Sequence, residues 1–158
     1  MFKGRLLVLE DDPHVAKVIG IIAESCGLEA RILMDHRRFF AALEEWNPSH
    51  IALDLGWPGR DGEQILTELA RRESGARVVI ISGSSGRVLD AACAGALHRG
   101  LTIIGGLTKP FSTAALRAIL SDRAAGAGQS APGSIQPEPA PVSAATLTPR
   151  LALRSCVG

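Results

Sequence analysis

Along the first 123 residues, hydrophobic and polar positions alternate between two periodicities. Short apolar runs recur at Arg5 to Leu9, Leu28 to Leu33, His50 to Asp54, Arg77 to Ile81 and Thr102 to Leu107. Runs of that length, bounded by Gly, Pro, Asn or Asp, predict strands. Between them, apolar residues fall three and four apart, which predicts helices. Val15, Val18, Ile19 and Ile22 mark the first, which opens at Asp12-Pro13 and ends at Gly27. Asp is a favoured N-cap, and Pro is tolerated at the first helical position because its missing N–H would be unpaired anyway. Phe39, Leu43 and Trp46 mark a second helix stopped before Pro48, and Ile65, Leu66 and Leu69 a third. Val88, Leu89, Ala92 and Ala96 suit a fourth, interrupted by Gly95; Leu116, Ile119 and Leu120 form the stripe of a fifth.

Strands that alternate with helices imply a parallel sheet covered on both faces. The fold class is therefore α/β, a (βα)5 doubly wound five-stranded parallel sheet over residues 1–123. No internal repeat is visible. Beyond Arg123 the composition changes: residues 124–149 are nearly all Ala, Gly, Ser, Pro, Gln and Thr, with Glu138 the only charge. Such a stretch buries too little apolar surface to offset its ordering entropy, so 124–158 reads as a flexible linker or tail.

Composition removes several function classes. At 46% hydrophobic and 21% charged residues, the chain suits an ordinary soluble core. A net charge of +1 provides no global field for nucleic acid or an acidic membrane surface. The apolar run Leu6 to Leu9 stops at Glu10-Asp11-Asp12, too soon for a signal peptide or a membrane span. Cys26, Cys93 and Cys156 are odd in number and widely spaced, which suggests neither a disulfide framework nor a zinc site. A cytoplasmic protein is expected. His14, His36, His50 and His98 share no spacing and read as surface or packing residues, Trp57 as a loop anchor and Arg71-Arg72 as a solvated helix face.

The candidate chemistry lies at the strand ends. The first strand leads into Glu10 and Asp11, the third ends in Asp54, the fourth leads into Ser82-Gly83, and the fifth into Lys109-Pro110. In a doubly wound sheet these positions share one edge, where ligands collect. Carboxylates about 4 Å apart repel by roughly 4 kcal/mol per pair at an effective dielectric near 20, so the cluster calls for a cation. Hard oxygen ligands favour Mg²⁺ over a transition metal. A metal, the Lys109 ammonium and the Ser82 hydroxyl around a carboxylate suit a phosphoryl group, and suggest phosphorylation of Asp54 itself. Ser82-Gly83-Ser84-Ser85-Gly86 lacks the Gly-Lys-Ser/Thr of a nucleotide P-loop.

These segments carry a resemblance. Leu7-Val8-Leu9-Glu10-Asp11-Asp12, Leu53-Asp54-Leu55-Gly56-Trp57-Pro58 with Asp61-Gly62, Val79-Ile80-Ile81-Ser82-Gly83 and Lys109-Pro110-Phe111 stand in the order found in receiver domains of two-component response regulators. The chain resembles that family over about residues 4–123. The resemblance implies a flavodoxin/CheY-like fold, with Asp54 accepting a phosphoryl group from the phosphohistidine of a sensor histidine kinase or phosphotransfer protein. It implies Mg²⁺ held by Asp11, by Glu10 through water, by Asp54 and by the Gly56 carbonyl. It further implies Lys109 paired with a phosphate oxygen and Ser82 swinging towards the phosphoryl group. The acidic pair then falls at Glu10 and Asp11, which leaves Asp12 as the helix cap. Such a domain is a phospho-acceptor, not an enzyme acting on other substrates.

One position departs from the family pattern. Receivers usually carry Tyr or Phe three residues before the lysine, where this chain has Gly106. The segment from Ala96-Leu97 through Gly105-Gly106 to Phe111 is similar to receivers fused to cyclic-di-GMP phosphodiesterase (EAL) domains. Glycine has no ring to turn, so a pseudo-receiver, a constitutive interaction module, stands as the alternative to a phosphorylated switch. An aspartyl-phosphate hydrolase is disfavoured because Gly56, not an acid, lies two residues after Asp54. The expected output surface is the fourth-helix/fifth-strand face, read by self-association or a partner protein, with Gly105-Gly106 letting a backbone or partner side chain approach the sheet edge.

Overall fold

Strands that are apolar at every position can be buried on both faces, and they take the middle of the sheet. The structure, a computed structural model, describes residues 1–56 and 62–121. Its elements are β1 (Gly4–Leu9), α1 (Pro13–Ser25), β2 (Leu28–Leu33), α2 (His36–Trp46), β3 (His50–Asp54), α3 (Gly62–Arg71), β4 (Arg77–Ser82), α4 (Gly86–His98), β5 (Thr102–Thr108) and α5 (Thr113–Ser121). The strands form one five-stranded sheet in the order β2-β1-β3-β4-β5, and every pairing is parallel. Leu6–Leu9, Ile51–Leu53 and Val78–Ile81 are buried throughout the three central strands. The edges go to β2, with exposed Glu29 and Arg31, and to β5, with its two glycines. This is the doubly wound (βα)5 fold expected from the alternation. The reading of 124–158 as a tail and that of Trp57 as an anchor lie outside the described residues.

Alternate residues of each central strand feed two cores. Leu7, Leu9, Ile51, Leu53, Val78 and Ile80 pack beneath α2, α3 and α4. Leu6, Val8, Ala52, Val79 and Ile81 pack beneath α1 and α5. No helix among the described residues is long and apolar enough to cross a membrane.

Local signals act as the spacing predicts, with four differences. Asp12 caps α1, accepting the N–H groups of His14 and Val15 at 2.8 and 3.3 Å, and Pro13 follows it. The buried stripe of α1 is Ala16, Ile19, Gly20, Ile22 and Ala23; Val18 lies about 100° from Ile19 on the helix and faces outward. On α4 the buried positions are Leu89, Ala92 and Ala96, so Val88 is likewise exposed, and Gly95 sits within an unbroken helix. Arg72 is not part of a solvated face: it ion-pairs with Glu44 of α2 and Glu68 of α3, and its guanidinium lies 4.9 Å from the Phe40 ring centroid.

The glycine pair of β5 has a packing role within the chain. A bulge shifts the β4–β5 register so that Val78 pairs with Ile103 but Val79 with Gly105 and Ile80 with Gly106. Gly105 and Gly106 therefore face opposite layers. A Cβ at Gly105 would lie 2.7 Å from Cδ1 of Ile119 on α5; one at Gly106 would lie 3.1 Å from the Cys93 sulfur and 3.2 Å from Leu89 on α4. The close approach anticipated for a partner's side chain is made by the domain's own helices. The space a switch ring would sweep is filled by Leu89 and Cys93.

Candidate functional site

The carboxyl ends of β1, β3 and β4 and the turn after β5 converge, because parallel strands point the same way. β1 delivers Glu10, which is fully buried, and β3 delivers Asp54, only 3% exposed. Both carboxylates are thus out of water, where an unpaired charge is costly. Lys109 meets that cost. Its ammonium lies 2.8 Å from Oδ2 of Asp54 and 2.9 and 2.8 Å from Oε1 and Oε2 of Glu10. The repulsion expected between neighbouring carboxylates is therefore offset, for this pair, by a lysine seated between them. That bridge was not anticipated from the sequence, since Lys109 lies 55 residues from Asp54 and 99 from Glu10.

Backbone amides set the remaining geometry. The Gly56 N–H donates to Oδ1 of Asp54 at 2.9 Å, leaving Oδ2 to Lys109. A side chain at Gly56 would crowd the same carboxylate, since a Cβ there would lie 3.3 Å from Oδ1. Lys109 is placed by its own N–H, which donates to the Ser82 carbonyl at 2.8 Å, and the Lys109–Pro110 peptide is cis. The Ser82 side chain is 1% exposed and its Oγ accepts the Ser84 N–H at 3.1 Å. Ser82 thus lies at the same edge, one residue past Ile81, which pairs with Asp54.

Glu10, Asp11 and Asp54 each bring a carboxylate oxygen to within 4.8 Å of the others. Asp11 is the exposed member of the three. Glu10 Oε1 accepts the Asp12 N–H at 3.1 Å, while the buried Oε2 has the Lys109 ammonium 2.8 Å away as its ion-pair partner. An all-oxygen set of three carboxylates, one of them exposed, fits a hard divalent cation. Asp12 is turned away into the α1 cap, and those two N–H groups hold its carboxyl below the usual range. Gly56 enters the site through its N–H.

Burial pushes the Glu10 carboxyl up, and the hydrogen bonds from Lys109 and the Asp12 amide only partly oppose it. Burial would lower Lys109, but its hydrogen bonds to Asp54 and Glu10 prevail and raise it. The raised lysine thus favours its cationic form, which both carboxylates share.

Comparison with known proteins fits this geometry. The DNA-binding response regulator MtrA of Mycolicibacterium smegmatis is 30% identical over 86 residues, 54% of this chain and 37% of its own length. The chain thus spans little more than a third of that curated relative. A response regulator from Colwellia psychrerythraea superposes with a TM-score of 0.62 at 33% identity, covering 74% of this chain and 93% of its own. A response regulator protein from Burkholderia pseudomallei, solved with a phosphorylated aspartic acid and a calcium ion, superposes with a TM-score of 0.61 at 20% identity over 73% of this chain and 65% of its own. The response regulator receiver domain profile matches residues 6–121, which takes in β2 to β5, all of β1 but its first two residues, and every site residue described above, and the chain belongs to that family.

Proposed function

We propose that Asp54 is the phospho-acceptor of this receiver. One observation carries the reading: a buried carboxylate held between a backbone N–H and a lysine ammonium, beside two further carboxylates at the open edge of the sheet. An Asp54 oxygen attacks phosphorus in a phosphohistidine of a sensor kinase or phosphotransfer protein; the P–O bond forms as the P–N bond breaks. Asp11, Glu10 and Asp54, with the Gly56 carbonyl, are the residues that would hold Mg²⁺. When bound, Mg²⁺ supplies charge neutralisation for the phosphoryl oxygens. Lys109 then exchanges its carboxylate partners for a phosphoryl oxygen, and the Ser82 hydroxyl gives up Ser84 to donate to another.

The output follows from β4 and α4. Moving Ser82 pulls on the Ser84–Gly86 turn that opens α4, whose first-turn cap residue Ser85 makes no side-chain hydrogen bond to hold it. Leu89 and Cys93 press directly on Gly106, so displacement of α4 is read at the α4/β5 face, by a second copy or a partner protein. The likeness of residues 96–111 to receivers joined to EAL domains supports reading this chain as a receiver of that kind. The test is incubation of the full chain with acetyl phosphate and Mg²⁺. An acid-labile mass gain of one phosphoryl group, absent in Asp54→Asn, is expected; a chain that takes up none is an interaction module instead.

A further inference from the structure

Outside the phosphorylation site, one buried ionisable group has no part in the chemistry. His50 opens β3 at the opposite end of the sheet, paired with Leu6 of β1 and Arg77 of β4, and is 8% exposed. Its Nδ1 lies 2.9 Å from the Ser49 hydroxyl. That hydroxyl accepts the Arg5 N–H at 2.9 Å and lies 3.1 Å from the Arg5 carbonyl, while the Ser49 carbonyl accepts the Arg77 N–H at 3.0 Å. Two adjacent residues thus tie the starts of three central strands together. Gly4 presses on the same point: a Cβ there would lie 2.6 Å from the Ser49 oxygen.

The His50 Nε2 is buried without a hydrogen-bond partner. In the neutral ring this leaves one polar atom unsatisfied. In the imidazolium both nitrogens are donors, so protonation would place an unpaired N–H and a full charge in the apolar layer. His50 shares that face with Ala52, in the layer under α1 and α5. Among the described residues no opposite charge acts on the ring. Arg77 of β4 acts on the ring as a like charge. The Arg5 guanidinium of β1 is taken by the Trp46 carbonyl at 2.6 Å, and Glu24 of α1 and Arg117 of α5 are exposed.

We propose that Ser49–His50 is an acid-sensitive joint at the foot of the sheet, at which protonation of His50 loosens the pairing of β1, β3 and β4 at the end opposite Asp54. Burial first, and Arg77 second, hold the ring below its ordinary range, in keeping with this geometry. A histidine depressed in the folded state contributes stability that is present above its unfolded value, about 6.5, and is lost as pH falls towards the folded one.

The experiment follows the full chain from about pH 7.5 to about pH 5, a range that spans the unfolded histidine value. The His50 ring signals in NMR are expected to stay neutral where a free histidine is already protonated. The melting temperature should fall more steeply with acid in the wild type than in His50→Gln. Should that variant not fold, deuterium uptake in the wild type decides: on acidification, protection should fall at Leu6, Ile51 and Val78 before Ile80 and Ile81. Parallel melting curves, a ring that titrates as a free histidine does, or uniform loss of protection would overturn the joint.

Discussion

The two ends of β1, β3 and β4 both bury ionisable groups, and burial shifts those groups in opposite directions. At the carboxyl end, Glu10 is a buried carboxylate whose burial raises it. At the foot, His50 is a buried imidazole whose burial lowers it. Desolvation acts on both in the same way, against the charged form. For an acid that means trouble as pH rises, and for a base trouble as pH falls. The difference between the ends lies in what can relieve the charge. The upper end opens to solvent through exposed Asp11 and holds its counter-charge in Lys109, which pairs with both buried carboxylates. The foot is joined by neutral hydrogen bonds between strands and, among the described residues, offers His50 no counter-charge.

The largest expected effect tests the upper end directly. Asp54→Asn should abolish acid-labile phosphate while the circular dichroism spectrum is retained, because one oxygen is replaced by an isosteric group. Uptake at the wild-type level would place the acceptor elsewhere. Next, Asp11→Ala should weaken Mg²⁺ binding far more than Asp12→Ala in a calorimetric titration. The latter should instead cost about 1 kcal/mol of stability through the lost α1 cap. Equal losses of affinity would mean that Asp12 leaves its cap to join the site.

A third measurement sets the ends against each other. Glu10, raised in the folded state, contributes stability below its unfolded value that is lost as pH rises through the folded one. In EDTA the melting temperature should therefore decline on that rise, Glu10→Gln should flatten the decline, and Mg²⁺ should offset it. His50→Gln should leave this arm unchanged. If Glu10→Gln alters only the acid arm, the charge at the upper end is not what limits the metal-free domain.

A fourth measurement concerns the β5 edge, part of the proposed output face. Gly105→Ala should cost about 1–3 kcal/mol in urea unfolding, because the new methyl meets Ile119 at 2.7 Å. Gly106→Ala meets the flexible ends of Leu89 and Cys93 at 3.1–3.2 Å and should cost less. It should alter the α4/β5 face while leaving Asp54 phosphorylation near the wild-type level. A Gly106→Ala chain that folds but no longer takes phosphate would tie β5 to the upper end more closely than the packing implies.

Much of this was legible along the chain. The fully apolar Val78–Ile81 announces a central strand, because only a position covered on both faces tolerates it. Asp12-Pro13 announces a helix start because capping is local, fixed by groups two and three residues apart. Asp35 caps α2 in the same way, accepting the Arg37 N–H, and could have been read from its place before His36. The edge on which Glu10, Asp11, Asp54, Ser82 and Lys109 meet follows from parallel topology alone, since each closes or follows a strand.

Other features depended on which residues come into contact across the fold. Val18 and Val88 satisfied helical spacing yet face solvent, because spacing selects a stripe but not its orientation to the sheet. The bulge near Ile104 decides that Gly105 and Gly106 serve different helices; without it the register would run otherwise. His50 carried no signal in one dimension: its burial, its lone Nε2 and its nearness to Arg77 arise from strands joined across the sheet. The sequence by itself determined the elements, their order and the edge on which the acids gather, since these depend on periodicity and direction. The tertiary structure decided the pairing of charges, with Lys109 between Glu10 and Asp54 and no hydrogen-bond partner for the His50 Nε2. Electrostatic energy depends on distance and desolvation, and both exist only once the strands lie side by side.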